Sequence, residues 1–179
     1  NKESGDEELW CKWLLPDYDP VYIAHACHEL SFQYRQSKGR RVVVDGGMEV
    51  IRTLYERGYR LGIISNLIGE TEVPDWLEED GLDKYFSSVV LSSVCHLRKP
   101  CAEIYRIASQ ELGVDLADCV SVADNVKRDL SGAIDAGVGC NIIFRSPEKK
   151  HPVEITGEVR PDAVISEFTE LLDLLPPLN

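Results

Sequence analysis

The chain has 179 residues, with 19 Lys and Arg against 31 Asp and Glu and a formal net charge of −12. That length suits one domain, or one domain with a small insertion, and is enough for a real core. The charge excludes a nucleic-acid or anionic-lipid binder unless positive charge is gathered locally, Lys38-Gly39-Arg40-Arg41 and Lys149-Lys150 are too short for such a footprint, and no apolar run approaches the roughly 20 residues that span a bilayer.

Residues 1–38 carry an aromatic and polar helical pattern, Leu9, Trp10, Trp13 and Leu14 and then Val21 to Arg35, with no good strand. From about Arg41 the chain alternates. The spacing of Val50, Ile51, Leu54 and Tyr55 predicts a helix over 47–57, ended by Gly58. Residues 60–65 read as a buried strand with a polar end, and 76–79 as a short helix after Pro74. Strands follow at 88–92, 119–123, 141–144 and 163–165. Helices are predicted at 100–112, closed by Gly113, and at 167–175. Short continuous apolar strands separated by helices of this kind predict a parallel sheet covered on both faces, an α/β three-layer Rossmann-like architecture. Right-handed crossovers put every strand's carboxyl end on one edge.

That edge collects the chemistry. Val120-Ser121-Val122-Ala123 breaks off at Asp124, and Asp129 follows before a small-residue helix begins. Two acids at a strand end, read as having no local basic excess, suit a hard cation such as Mg²⁺. Ser65 ends an apolar strand, so its hydroxyl and the N–H groups of the loop from Asn66 are placed to hold a phosphate oxygen. Lys99 precedes Pro100 on the loop entering a helix, where its ammonium can neutralise a carboxylate or a phosphoryl oxygen. A hydroxyl, an ammonium and two carboxylates around one centre describe phosphoryl transfer. The six cysteines form no C-x-x-C pair and no disulfide framework, which predicts a reducing, cytoplasmic setting.

Three stretches carry a family resemblance. Gly58-Tyr-Arg-Leu-Gly-Ile-Ile-Ser65-Asn66, then Arg98-Lys99-Pro100 with Ile104-Tyr105, then Val122-Ala-Asp124-Asn-Val-Lys-Arg-Asp129 with Gly132-Ala133 and Ala136-Gly137 stand in order over about residues 41–175. They resemble the second, third and fourth motifs of haloacid-dehalogenase superfamily hydrolases, in the capped branch that is mostly Mg²⁺-dependent phosphatases. Ala123 and Asn125 replace the glycine and serine common in the fourth motif. The resemblance implies Lys99 and Asp124 as catalytic groups, Ser65, Asn66 and Lys99 on the phosphate, Asp124 and Asp129 on Mg²⁺, and a small phosphate monoester as substrate. It implies neither a nucleic-acid nor a membrane partner.

The family's first motif is an Asp-x-Asp pair ending the first strand; its first Asp attacks phosphorus and its second protonates the leaving group. Upstream of Ser65 the chain offers only Asp17-Tyr18-Asp19, behind Pro16, which would remove a ladder N–H in a central strand. The resemblance therefore assigns residues 1–38 to a partial helical cap and residues 39–179 to a core without its first strand. Residue 1 is Asn and the only methionine is Met48, which fits that expectation. An upstream segment, a second chain or rearranged N-terminal residues would then complete the sheet. Alternative readings are a 2-haloacid dehalogenase, against which Asp124 argues, a phosphomutase, and a non-catalytic phosphate-binding or regulatory module.

Overall fold

The computed structural model describes residues 2–147 and 159–178; Asn1 and the Lys149-Lys150 pair lie outside them. Among the described residues five strands form, β1 (Leu61–Ser65), β2 (Phe86–Leu91), β3 (Val120–Ala123), β4 (Cys140–Phe144) and β5 (Ala163–Ile165). Every pairing between these strands is parallel, with Ile63 opposite Val89, Val122 opposite Ile142 and Ile143 opposite Val164. The chain is α/β with helices on both faces, as expected.

Local chemistry sets the helix ends. The amphipathic Gly47–Glu56 helix ends at Arg57, and Gly58 turns the chain with φ 93°. The Ala102–Leu112 helix closes on Gly113 at φ 63°, a left-handed conformation that costs glycine little. This helix begins two residues later than the sequence spacing suggests. The second strand runs from Phe86 to Leu91 instead of 88–92, because Ser92–Cys95 already coils into a short helical turn. The predicted 167–175 helix divides into a 3₁₀ turn, Phe168–Glu170, and a short α-helix, Leu171–Leu174.

Two apolar clusters flank the strands. Val50 and Leu54 of the 47–56 helix pack with Ile142, Ile165 and Leu171, and Leu61 joins them. Ile104, Tyr105 and Ala108 of the 102–112 helix pack with Val90, Ala133 and Val138, and Ile64 joins these. Leu61 and Ile64 are three positions apart on one strand, so they project from opposite faces, and the two clusters lie on either side of the sheet.

The sheet is interrupted in its middle. β1 pairs with β2 and β3 with β4 and β5, but among the described residues β1 and β3 do not pair. Between them runs a cavity of about 960 Å³, with Val50 and Leu54 on one face, Tyr105 and Ala108 on the other, and Lys99 and Asp129 at the carboxyl end. The effect shows in burial. β4 holds three fully buried residues, Asn141, Ile142 and Ile143, whereas every residue of β3 and of β1 is at least partly exposed. Parallel strands flanked by helices are normally buried on both sides, and an inward-facing strand edge leaves N–H and C=O groups unpaired.

Residues 2–38 do not supply a strand to that gap. They form a turn at Asp6–Glu8, a π-helical stretch at Leu9–Leu14 and the Pro20–Ser37 helix. Trp10, Ile23 and Cys27 make a small cluster of their own, and the Trp10 indole N–H donates to Ser31 Oγ at 2.8 Å. Asp19 caps the long helix by accepting the Val21 N–H at 2.9 Å, with Pro20 at the first helical position. Arg35 joins the helix to the rest of the chain through Glu72 at 3.2 Å, both side chains nearly fully buried. Among the described residues no helix is long and apolar enough to cross a membrane.

Candidate active site

Lys99 is the hub of the carboxyl edge. Its side chain is only 13% exposed, and its ammonium donates to the Ile64 carbonyl at 2.8 Å and to Asp129 Oδ1 at 2.9 Å. One cation thus ties the end of β1 to the segment after β3, across the mouth of the cavity. The backbone of Lys99 is gripped as well. Asn66 Oδ1 accepts the Lys99 N–H at 2.9 Å and Asn66 Nδ2 donates to the Lys99 carbonyl at 3.1 Å. The sequence reading places Asn66 on a phosphate; the structure engages its side-chain amide with the lysine loop.

Ser65 ends β1 opposite Leu91, one residue beyond the carbonyl that Lys99 contacts. The loop that follows is anchored at Ser92, whose hydroxyl accepts the Leu67 N–H at 3.0 Å, and at Ser93, whose hydroxyl donates to the Gly69 carbonyl at 2.6 Å.

Beyond β3 the chain enters a π-helical turn at Val126–Leu130, begun by Asn125, whose side chain accepts the Arg128 N–H at 2.9 Å. Single π turns of this kind recur at functional sites. This one buries Asp129, whose side chain is 4% exposed, at the cavity end. Tyr105 from the opposite helix donates its hydroxyl to the Asp129 carbonyl at 2.8 Å. Burial first, and the Asp129 charge second, push that hydroxyl well above the ordinary tyrosine range, so it stays a donor. Asp124 directly follows β3, close enough that its charge helps to raise the Arg128 pKa. The structure therefore places Lys99 and Asp129 at one end of the cavity, with Asn66 on the main chain of Lys99 and Ser65 next in chain to the Ile64 carbonyl that Lys99 contacts; Asp124 follows β3, near enough for its charge to be felt at Arg128.

Arg128 is the residue that sequence reasoning passes over. Its Nε lies 3.2 Å from Asp129 Oδ1 and its Nη2 3.1 Å from Oδ2, a bidentate grip. The hydrogen bond to Asp129 raises its pKa above the ordinary arginine range. The signal is present in the sequence, a cation one position before an acid, and it runs against the reading that these acids have no local basic excess. In space Asp129 meets two cations. The donor chemistry, two carboxylates at a strand end, fits a hard divalent ion. The charges around Asp129 are nevertheless already balanced by Lys99 and Arg128, and among the described residues no three His, Cys, Asp or Glu side chains gather as a metal cage.

A family model described as haloacid dehalogenase-like hydrolase matches residues 24–143. The chain is similar to the pyrophosphatase PpaX of Halalkalibacterium halodurans, 29% identical over 131 residues, covering 73% of this chain and 59% of that protein. It is similar also to the glyceraldehyde 3-phosphate phosphatase of Pyrococcus furiosus, 27% identical, covering 91% of this chain and 65% of the relative. Among solved structures it resembles a 2-haloacid dehalogenase from Pseudomonas syringae pv. Tomato with a TM-score of 0.66 at 21% identity, covering 88% of this chain and 64% of that one, a likeness of fold. The chain spans about three fifths of the length of these proteins.

Proposed function

The chain belongs to the haloacid dehalogenase-like hydrolase family, and on that premise we propose that it serves a Mg²⁺-dependent phosphatase acting on a small phosphate monoester. The observation that carries this reading is the Lys99 ammonium, held between the Ile64 carbonyl and Asp129 at the mouth of the cavity. A phosphoryl group at that mouth would meet Ser65 on one side and the Lys99 charge on the other. Charge placed in advance where charge develops is the largest single source of rate in such reactions.

The nucleophile enters on an extended segment lodged between β1 and β3. The interrupted sheet, the apolar walls of the cavity and the cations at its carboxyl end all favour an apolar strand tipped with carboxylates. Its first aspartate attacks phosphorus, the ester oxygen leaves with a proton from the second acid, and water then cleaves the aspartyl-phosphate. Lys99 screens the attacking carboxylate and the phosphoryl oxygens. Asp124 and Asp129 would hold a Mg²⁺ ion, whose charge offsets that of the phosphoryl oxygens. The helices within residues 2–38 would serve as part of a cap that selects substrate and limits water.

The test is turnover of an aryl phosphate and a panel of small phosphate monoesters by the complete gene product, with and without Mg²⁺. Expected is Mg²⁺-dependent phosphate release that falls by about 10²-fold or more in Asp124→Ala. Chloride release from a 2-haloacid without metal would point to a dehalogenase instead. Phosphate binding with no turnover of either substrate would point to a regulatory module.

A further inference from the structure

We propose that Arg128 is a built-in counter-cation that holds the metal's side of Asp129 and must swing away before Mg²⁺ binds. This rests on Asp124 and Asp129 being the metal pair, not on the phosphatase reading as a whole.

The grip is specific. Both oxygens of a carboxylate that is 4% exposed face the Arg128 guanidinium, Oδ1 to Nε at 3.2 Å and Oδ2 to Nη2 at 3.1 Å, while Lys99 takes Oδ1 from the other side at 2.9 Å. Two positive charges, Lys99 and Arg128, thus converge on the single Asp129 carboxylate. A divalent cation brought to Asp129 meets two like charges at short range. With Arg128 withdrawn one of the two like charges is gone, and Asp129 Oδ2, which only Arg128 grips, has room for a new ligand.

The two cations differ in freedom. The Lys99 side chain is 13% exposed and fastened to Ile64, whereas the Arg128 side chain is 43% exposed. Arg128 is thus the one that can move its charge into water. Its backbone need not follow, because the Arg128 N–H stays on Asn125 Oδ1 at 2.9 Å and keeps the π turn wound. Any carboxylate brought to the cavity mouth would lower the local charge further and favour the same exchange of guanidinium for metal. Arg128 thereby couples metal loading to whatever fills the gap between β1 and β3.

The experiment is titration of the 179-residue chain with Mn²⁺, read as loss of the free-ion signal in electron paramagnetic resonance and reversed by Mg²⁺. Arg128→Ala and Arg128→Gln should each bind Mn²⁺ at least tenfold more tightly than the parent, and adding Asp129→Asn should abolish the gain. Circular dichroism confirms that each protein is folded, and Arg128→Gln, which keeps length and hydrogen bonding, stands in should the alanine variant unfold. Parent and variants binding within twofold of one another, or none of them binding, overturns the proposal. The two readings fail separately. Tighter Mn²⁺ binding with no phosphate-ester turnover by the complete gene product keeps this inference and removes the phosphatase. Unchanged binding with Mg²⁺-dependent turnover does the reverse.

Discussion

Asn66 closes on the main chain of Lys99 with both ends of its amide, accepting from the N–H at 2.9 Å and donating to the carbonyl at 3.1 Å. The two residues lie 33 positions apart and on different loops, so these bonds fix the spacing of the two loops directly. Neither end can be replaced by a methyl group without leaving a part-buried backbone group unmatched.

Asn66→Ala should therefore destabilise the protein by about 1–3 kcal/mol, the sum of two ordinary hydrogen bonds with a share of desolvation. Asn66→Asp keeps the acceptor for the Lys99 N–H but sets a second acceptor against the Lys99 carbonyl, so it should lose a comparable amount. Urea midpoints at constant m-value measure both. An alanine variant as stable as the parent would show that the two loops are held by other means.

Gly132 allows the Ser131–Ala136 helix to lie against the lysine loop. A Cβ there would stand 2.8 Å from Pro100 Cα and 2.9 Å from the Pro100 carbonyl oxygen, and backbone cannot give way as a flexible side chain can. Gly132→Ala gains about 1 kcal/mol in helix propensity but overpacks this contact, at a cost of about 1–3 kcal/mol. The net effect should be a loss of stability. Because Lys99 adjoins Pro100, aryl-phosphate turnover by the complete gene product should fall further than the stability change explains. Unaltered thermal midpoint and turnover together would refute the close approach.

Much of this was legible before the structure. β-branched runs ending at Ser65 and Asp124, and glycines at 58 and 113, mark strand and helix ends by chemistry that acts within a few residues, and these elements formed within a residue or two of their expected bounds. Contacts between distant side chains were less visible. Nothing local shows that the amide of Asn66 grips Lys99, or that the Arg128 guanidinium folds back onto Asp129, because both depend on where two loops meet. The short π turn at 126–130 has no periodic signature, yet it sets where Asp129 points. The closing helix was overextended because Leu171, Leu172, Leu174 and Leu175 suit a helix well, whereas Pro176 and Pro177 and the 3₁₀ turn at Phe168–Glu170 leave it one turn.

Glu170 gives the fold an acid-sensitive contact. One of its carboxylate oxygens accepts the N–H groups of Ser166 and Glu167, both at 2.7 Å, and the Glu167 bond, then the Ser166 bond, lower its pKa below the ordinary 4.5. A group whose folded pKa is depressed stabilises the fold above its unfolded value and loses that contribution as pH falls through the folded one. The Glu170 increment should be present in full above about pH 4.5 and decline below it. Thermal midpoints of the parent and Glu170→Gln, measured from pH 6 down to pH 3, should converge. A constant offset across that range would mean that the carboxylate charge contributes nothing to these two hydrogen bonds.

The interrupted sheet makes the most direct prediction. In β4, with β3 on one side and β5 on the other, backbone N–H groups have strand partners, and Ile142 and Ile143 are each 1% exposed. In β3 and β1, alternate N–H groups point into the cavity, where among the described residues no strand receives them. Water reaching that space should exchange those amides without global unfolding, whereas β4 amides wait for larger openings. Native-state hydrogen exchange should show slot-facing amides of β1 and β3 exchanging about 10²-fold or more faster than those of Ile142 and Ile143. An extended apolar peptide ending in Asp-x-Asp, added in excess, should slow the β1 and β3 amides and raise the thermal midpoint with its concentration, as any ligand selective for the folded state must. Should β3 exchange as slowly as β4 in the chain alone, the gap is closed in solution and the strand-entry reading of the active site falls with it.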